Sequence, residues 1–151
     1  MTATTATTVS QELSLQLLPH ICFYGRTAEA LEFYAPIFGG TYNVMKFSDG
    51  PNNCNMPPES VNDIMHAEFN APGVSFMAND GMDRHVQAAG SITLALNGTD
   101  VEKGKRIFEA LSEGGTVIAP LEPQFWGAHF GLVTDRFGVA WMVNAGPGSQ
   151  Q

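Results

Sequence analysis

The chain has 151 residues, of which 44% are hydrophobic and 15% are charged, and its formal net charge is −8. This composition is typical of one globular domain or two small fused modules, which fold at this length without disulfides or metals. Only seven residues are lysine or arginine, which argues against a nucleic-acid partner and against binding to an anionic membrane surface.

Two cysteines, Cys22 and Cys54, are too few for a disulfide framework and lack the spacing of a zinc site. Free thiols favour a reducing compartment. The N-terminal residues lack the basic segment and apolar run of a secretory signal, and no apolar stretch approaches the roughly 20 residues of a membrane helix. We therefore expect a cytoplasmic protein.

The first module is predicted to span about residues 15–80, after a Thr- and Ala-rich segment over 1–13 that is predicted to be a disordered tail. The apolar run LLPHICFYG predicts its first strand. A helix is expected to follow an N-cap at Thr27 and to end at Gly39-Gly40. Three further strands are predicted at 41–47, 64–70 and 74–79.

The second module, about residues 90–145, repeats this layout. The run SITLALNG precedes a helix that is predicted to begin after an N-cap at Asp100 and to end at Gly114-Gly115. Gly25 and Gly98 are separated by the same number of residues as Glu29 and Glu102, which indicates an internal repeat. The remaining predicted strands are 116–120, 129–135 and 139–144. Residues 146–151 are predicted to be a second tail.

Each module is thus predicted to be strand–helix–strand–strand–strand. The expected fold class is α+β, with two tandem βαβββ modules that form one cupped mixed sheet within a single domain over 14–145. One amphipathic helix covers one face of each set of strands, and the other face must curl around side chains or a ligand.

Several segments carry a resemblance to a known family: ALEFYAPIFGG (30–40), IMHAEF (64–69), GKRIFEALSEGG (104–115) and FWGAHFGLVTDRFGVAWMVN (125–144). They resemble the PhnB-like branch of the vicinal oxygen chelate superfamily, which includes glyoxalases, bleomycin-resistance proteins and dioxygenases. The resemblance covers about residues 15–145. It implies the βαβββ repeat, a central pocket and a homodimer.

Metal enzymes of this superfamily bind a divalent ion through four side chains, typically His or Glu. The corresponding positions implied here are Pro19, Ser75, Ser91 and Met142, none of which suits such an ion. A shift of one residue would place His20 at the first position, but one imidazole does not hold a metal alone. The resemblance therefore predicts no metal at the usual site and no cofactor.

Strand alternation gives most of the candidate ligand-binding residues, while Trp126 is added as an aromatic residue of a loop and His129 as a possible metal ligand. They are Phe23, His66, Glu68, Ser75, Met77, Ser91, Thr93, Trp126, His129 and Met142. Trp126 is expected at the pocket rim or, equally, at a dimer interface. His66 and Glu68 are the candidate catalytic residues, and with His129 they would suit a displaced zinc or iron ion. The alternative is a hydrogen-bonded His–carboxylate pair that only lines the pocket.

Three functions stay open at this point, and whether the chain is an enzyme is undecided. The first is a metal-free homodimer that binds a small, mostly neutral molecule. The second is a lyase, isomerase or dioxygenase-type enzyme that uses His66 and Glu68 as an acid–base pair or a displaced divalent metal. The third is a structural dimer whose cup is filled with side chains. No glycine-rich nucleotide loop follows a strand, so the methyltransferase label of some relatives gains no support.

Overall fold

The structure is a computed structural model that describes residues 15–81 and 92–147. The tail predicted over 1–13, candidate Ser91 and most of the second tail lie outside the described residues. The first set of elements is β1 (His20–Cys22), α1 (Thr27–Phe38), β2 (Thr41–Lys46), β3 (Ile64–Ala71) and β4 (Val74–Asn79). The second set is β5 (Leu94–Gly98), α2 (Val101–Ser112), β6 (Thr116–Pro123), β7 (His129–Thr134) and β8 (Ala140–Ala145).

The strands form two four-stranded mixed sheets with the same topology. Sheet one has the order β1-β4-β3-β2 and sheet two has the order β5-β8-β7-β6. The first strand of each set pairs in parallel with the last, and the other neighbours are antiparallel. The predicted α+β class and the repeated βαβββ order are confirmed. The loop between β2 and β3 contains three short 3₁₀ turns, at Phe47–Asp49, Pro51–Asn55 and Pro58–Ser60, that were not predicted.

The two helices begin with different kinds of cap. Asp100 is the predicted N-cap of α2, and its side chain accepts a hydrogen bond from the Lys103 backbone N–H at 3.1 Å. The predicted cap of α1 is wrong, because Thr27 is already helical and Arg26, the N-cap residue, makes no side-chain cap bond. The buried carboxylate of Asp80 takes that role and accepts from the Thr27 N–H at 3.0 Å.

Helix α1 contributes to the packing of both sheets. Its Tyr34 is fully buried, with ring centroids 5.7 Å from Phe76 in sheet one and 5.8 Å from Trp141 in sheet two. Phe38 likewise contacts Phe69 and Trp141. The two sheets therefore share one hydrophobic core, and the residues of that core lie on the helix-facing side of each sheet.

A buried polar group lies within this core. Asp135, in the turn between β7 and β8, is 3% exposed and accepts hydrogen bonds from the Tyr34 hydroxyl and from Trp141 Nε1. Its other oxygen accepts from the backbone N–H groups of Phe137 and Val139 at 2.9 and 3.0 Å. Every one of these bonds satisfies a donor that burial would otherwise leave without a partner.

Candidate functional site

Each sheet has one face that packs on the helices and one that does not, and we call the second its open face. In sheet one, Ala67, Phe69, Phe76 and Ala78 are buried in the core. Successive strand residues alternate between faces, so the residues between them lie on the open face. The predicted orientations of His66, Glu68, Ser75 and Met77 are therefore confirmed.

The open face of sheet one is mostly polar. Glu68 is paired across the ladder with Asn43 of β2 and with Met77 of β4. Met77 is in turn paired with His20 of β1, which makes one row of four side chains across the sheet. Ser75 Oγ donates a hydrogen bond to Asn70 Oδ1 at 3.0 Å on the same face.

The orientation predicted for Phe23 is wrong. Phe23 is 4% exposed and packs edge-on against Phe137, at 5.8 Å between ring centroids, within the shared core. The register of β1 with β4 pairs Ile21 with the buried Ala78, so Ile21 and Phe23 both point to the helices. The same register places His20 and Cys22 on the open face. Alternation counted from an inward Pro19 had predicted the opposite face for both.

His66 and Glu68 form the pair that the sequence predicted. His66 Nε2 lies 3.6 Å from Glu68 Oε2, and the two side chains are 39% and 58% exposed. Water screens an ion pair at this exposure, so it contributes little to stability. The pair is nevertheless placed where a bound molecule on the open face would reach it.

The open face of sheet two has a different chemical character. Met142 is paired with Ala95 on one side and with Leu132 on the other, and all three belong to the face opposite the buried Trp141 and Val143. Next along the sheet, Phe130 is paired with Asn144, whose amide nitrogen donates to Asn97 Oδ1 at 3.4 Å. This face is therefore largely apolar, with the predicted Met142 at its centre. Candidate Thr93 precedes β5 and is exposed.

Trp126 lies at one end of this apolar face. Its ring is 5.9 Å from that of Phe130 and 5.1 Å from that of Phe125, which is 97% exposed. Trp126 itself is 41% exposed. This position agrees with the predicted pocket rim, and a dimer interface at the same place is equally compatible with it.

The placement predicted for His129 is wrong. His129 is paired with the buried Ala145, so it lies on the helix-facing side of sheet two and not on the open face. It is not brought together with His66 and Glu68. Within residues 15–81 and 92–147, no three His, Cys, Asp or Glu side chains come close enough to hold a metal ion.

Sequence reasoning missed several open-face residues besides His20 and Cys22. Phe130 and Leu132 of β7 were missed because only His129 was singled out on this strand, for its side-chain chemistry. The neighbouring strand carried the missing signal, since the inward and outward residues of β8 were assigned correctly. Further open-face residues that were missed include Asn43 and Met45 of β2 and Glu122 of β6.

A cavity of about 490 Å³ lies where the turn between β3 and β4 of the first module meets β5, α2 and β8 of the second. Phe38, Val74, Leu96 and Ile107 form its apolar part, and Lys103 stands at its edge. Neither the His66–Glu68 pair nor any aromatic residue around Trp126 lines this cavity.

A family model described as 3-demethylubiquinone-9 3-methyltransferase matches residues 15–144. The chain belongs to this PhnB-like family. Solved members of the glyoxalase/bleomycin resistance protein/dioxygenase superfamily share its fold, which confirms the resemblance on which the sequence analysis relied.

Three similar proteins illustrate how far the match extends. Protein PA1353 from Pseudomonas aeruginosa is 39% identical, with a TM-score of 0.75 over 88% of this chain and 98% of that chain. Protein YjdN from Escherichia coli K12 is 31% identical over 86% of this chain and 95% of its own length. The PhnB protein from Bacillus cereus is 22% identical, with a TM-score of 0.72 over 87% of this chain and 99% of that chain.

Neither helix in the described part of this PhnB-like chain has the length and apolar content needed to cross a bilayer. A cytoplasmic location stays a prediction.

Proposed function

We propose that this PhnB-like protein is a homodimer that binds a small organic molecule on its open faces, without a divalent metal at the positions implied by the superfamily. The observation that carries the proposal is the contrast between the two open faces. One offers Phe130, Leu132 and Met142, and the other offers His66 and Glu68. Apolar side chains and a few polar groups are the two components that small-molecule sites usually combine.

The donor set supports the metal-free part of the proposal. Ser75 is engaged with Asn70, and Met142 is flanked by Ala95 and Leu132. A serine hydroxyl and a thioether among alkyl groups do not fit zinc, nickel or manganese, which prefer imidazole and carboxylate ligands.

Exposed apolar residues on the outer strands support the dimer. Tyr42 and Val44 of β2 are 38% and 44% exposed, and Val117 and Ile118 of β6 are 44% and 62% exposed. Exposed apolar side chains on the outer strand of a sheet are typical of an interaction site, and a second copy of the chain would cover them. In sedimentation experiments the wild-type protein should then have the mass of a dimer, and an Ile118→Glu variant should have the mass of a monomer. A wild-type protein with the mass of a monomer would contradict the dimer.

Ligand binding is tested with a small-compound collection and saturation-transfer NMR. Met142→Lys introduces a charge at the centre of the apolar face and should abolish the binding of compounds that wild type binds. Glu109→Gln, an exposed position on α2, is the matched control and should bind as wild type does. Elemental analysis of the purified protein completes the test, since stoichiometric zinc, iron, nickel or manganese that is lost in His66→Ala would refute the metal-free proposal.

The His66–Glu68 pair favours a second candidate function, acid–base catalysis on a molecule held at the same site. A His within 3.6 Å of a carboxylate can take or give a proton if a substrate reaches it. The test is the exchange of carbon-bound protons with deuterated water in the compounds that bind. His66→Gln and Glu68→Gln should each stop exchange without abolishing binding, whereas equal loss of binding would assign the pair to ligand recognition.

A further inference from the structure

Two aromatic rings contact the Trp126 ring in edge-type geometry at one end of sheet two. Phe125 and Trp126 make an interplanar angle of 89°, and Trp126 and Phe130 make one of 74°. Trp126 therefore presents its ring between two others that meet it edge-on. We call these three residues the aromatic cluster.

The loop that carries the cluster is held in place by its own hydrogen bonds. The Gln124 backbone N–H donates to the Ala128 carbonyl at 2.8 Å, and the Gly127 N–H donates to the Gln124 carbonyl at 3.1 Å. Gly127 has a φ of 96°, which favours glycine at this turn. Ala128 is 1% exposed. The exposed rings thus lie on a closed turn with a buried base, so little ordering is needed when a ligand binds.

The charged residue paired with the aromatic cluster is acidic. Glu122 is paired with Phe130 across the β6–β7 ladder, so its carboxylate lies on the same face as the Phe130 ring. None of the four strands of sheet two, and no residue of the loop over 124–128, is Lys or Arg. The chain as a whole carries a formal charge of −8. An anion would find no counter-charge here, while a cation would.

We infer that the aromatic cluster and Glu122 bind an organic ammonium ion, of the quaternary or methylated type, as the charged part of the molecule held on the open face. Aromatic ring faces attract such a cation through their quadrupole, and a weakly hydrated alkylammonium loses little on leaving water. Glu122 adds the counter-charge. The inference rests on the proposed function, because the cluster is one end of the same open face.

The experiment compares choline with its neutral isostere 3,3-dimethylbutan-1-ol by NMR of the indole N–H groups. The chain has two tryptophans, and Trp141 is 2% exposed with its Nε1 bonded to Asp135, so it serves as an internal reference. Choline should shift the Trp126 signal saturably and leave the Trp141 signal in place. The isostere should bind roughly threefold to thirtyfold more weakly, the range expected for loss of a cation–π contact.

Variants at the cluster complete the test. Trp126→Leu should weaken choline binding about fivefold or more because an aliphatic side chain has no quadrupole. Glu122→Gln, which keeps the shape of the side chain, should also weaken it, and Glu109→Gln should not. Because Trp126 is half-exposed, circular dichroism should show that the Trp126→Leu protein is folded. If that variant does not fold, Glu122→Gln alone still tests the inference.

Three outcomes would overturn the inference. Equal affinities for choline and its isostere would show an apolar patch without charge selectivity. A Trp126 signal that ignores choline but moves with protein concentration would show that a second copy covers the cluster. Choline binding that Glu122→Gln and Trp126→Leu leave unchanged would place the cation elsewhere. If choline gives one of these results while neutral compounds still bind and Met142→Lys abolishes their binding, the proposed function stands and only the ammonium inference fails. If choline binds at the cluster but Met142→Lys affects no ligand, the proposed function fails instead.

Discussion

At the scale of single residues, Asp135 is the polar group on which the shared core depends most. Its carboxylate accepts four hydrogen bonds, from the Tyr34 hydroxyl, the Trp141 indole and two backbone N–H groups. A buried donor that loses its acceptor costs free energy, whereas a satisfied one costs little. The stability of the core at this point therefore depends on one carboxylate that sequence patterns do not reveal.

The first prediction concerns that carboxylate. Asp135→Ala should lower the free energy of unfolding by about 3 kcal/mol or more, because several buried donors lose their acceptor together. Asp135→Asn, which keeps one oxygen, should cost less. Urea denaturation followed by tryptophan fluorescence measures both, with Glu109→Ala as an exposed control. An Asp135→Ala protein as stable as wild type would contradict this account of the core.

The second prediction concerns alkaline pH. Burial, reinforced by the neighbouring Asp135 carboxylate, raises the pKa of Tyr34 far above its ordinary value of 10.0. The folded state therefore keeps the phenol proton that the unfolded state releases above about pH 10. This contribution to stability is complete below that pH and is lost progressively as the pH rises beyond it.

Tyr34→Phe tests the alkaline effect. The variant should be less stable than wild type at pH 7, since it loses a buried hydrogen bond. Its free energy of unfolding should then fall less steeply between about pH 9.5 and 11. The other tyrosines, Tyr24 and Tyr42, are present in both proteins and cancel in the comparison. Parallel pH profiles would mean that the Tyr34 phenol titrates normally.

At the scale of elements, helix α1 takes its N-terminal cap from a distant part of the chain. The Asp80 carboxylate accepts from the backbone N–H groups of Thr27 and Ile64, and thereby joins the end of β4 to the starts of α1 and β3. The local sequence before α1 contains no side chain that does this. Helix α2, by contrast, is capped by its own Asp100.

The third prediction compares the two caps. Asp80→Ala should cost about 2 kcal/mol, because it removes a cap and a second buried backbone contact, and Asp100→Ala should cost about 1 kcal/mol. Hydrogen exchange should show faster opening at the Thr27 and Ile64 amides in Asp80→Ala. Equal costs for the two variants would indicate that the Ile64 contact adds nothing.

The order of the helices and strands could be predicted from the sequence. The sheet face on which each strand side chain lies could be predicted only in part. The helices and long strands were predictable because each contains enough residues for its period to show, as in β3 and β8. Strand β1 has three residues, and alternation cannot be fixed over so short a run, so Phe23 was assigned to the wrong face. His129, in the six-residue strand β7, was proposed for its side-chain chemistry and not from alternation, and its pairing with Ala145 places it on the helix-facing side. The roles of Asp80 and Asp135 depend on partners 53 and 101 residues away, which no local pattern encodes.

At the scale of the whole molecule, two arginines join the modules in a reciprocal way. The Arg26 guanidinium of the first module lies 4.6 Å from the Phe137 ring centroid of the second, and that of Arg136 lies 4.4 Å from the Phe33 ring centroid of the first. Arg26 also donates to the Arg136 carbonyl. These exposed contacts surround the Tyr34–Asp135–Trp141 group, so polar and aromatic contacts both hold the modules together.

The fourth prediction is that Arg26→Ala and Arg136→Ala each lower the free energy of unfolding by about 0.5–1 kcal/mol, the value of a surface cation–π contact. The double variant should lose less than the sum, because the Arg26 side chain donates to the Arg136 backbone within the same cluster. Thermal denaturation of the four proteins measures the coupling. Strict additivity would show two independent surface contacts.

The position of Tyr34 between the two sheets has a consequence for how the chain folds. A repeated sequence suggests that each half folds independently. The side chains that pack around the Tyr34 ring, however, come from both halves. Separated halves would expose Trp141 or Phe76 to water, so neither is expected to hold its tertiary structure alone. Unfolding of the chain should therefore be a single all-or-none transition.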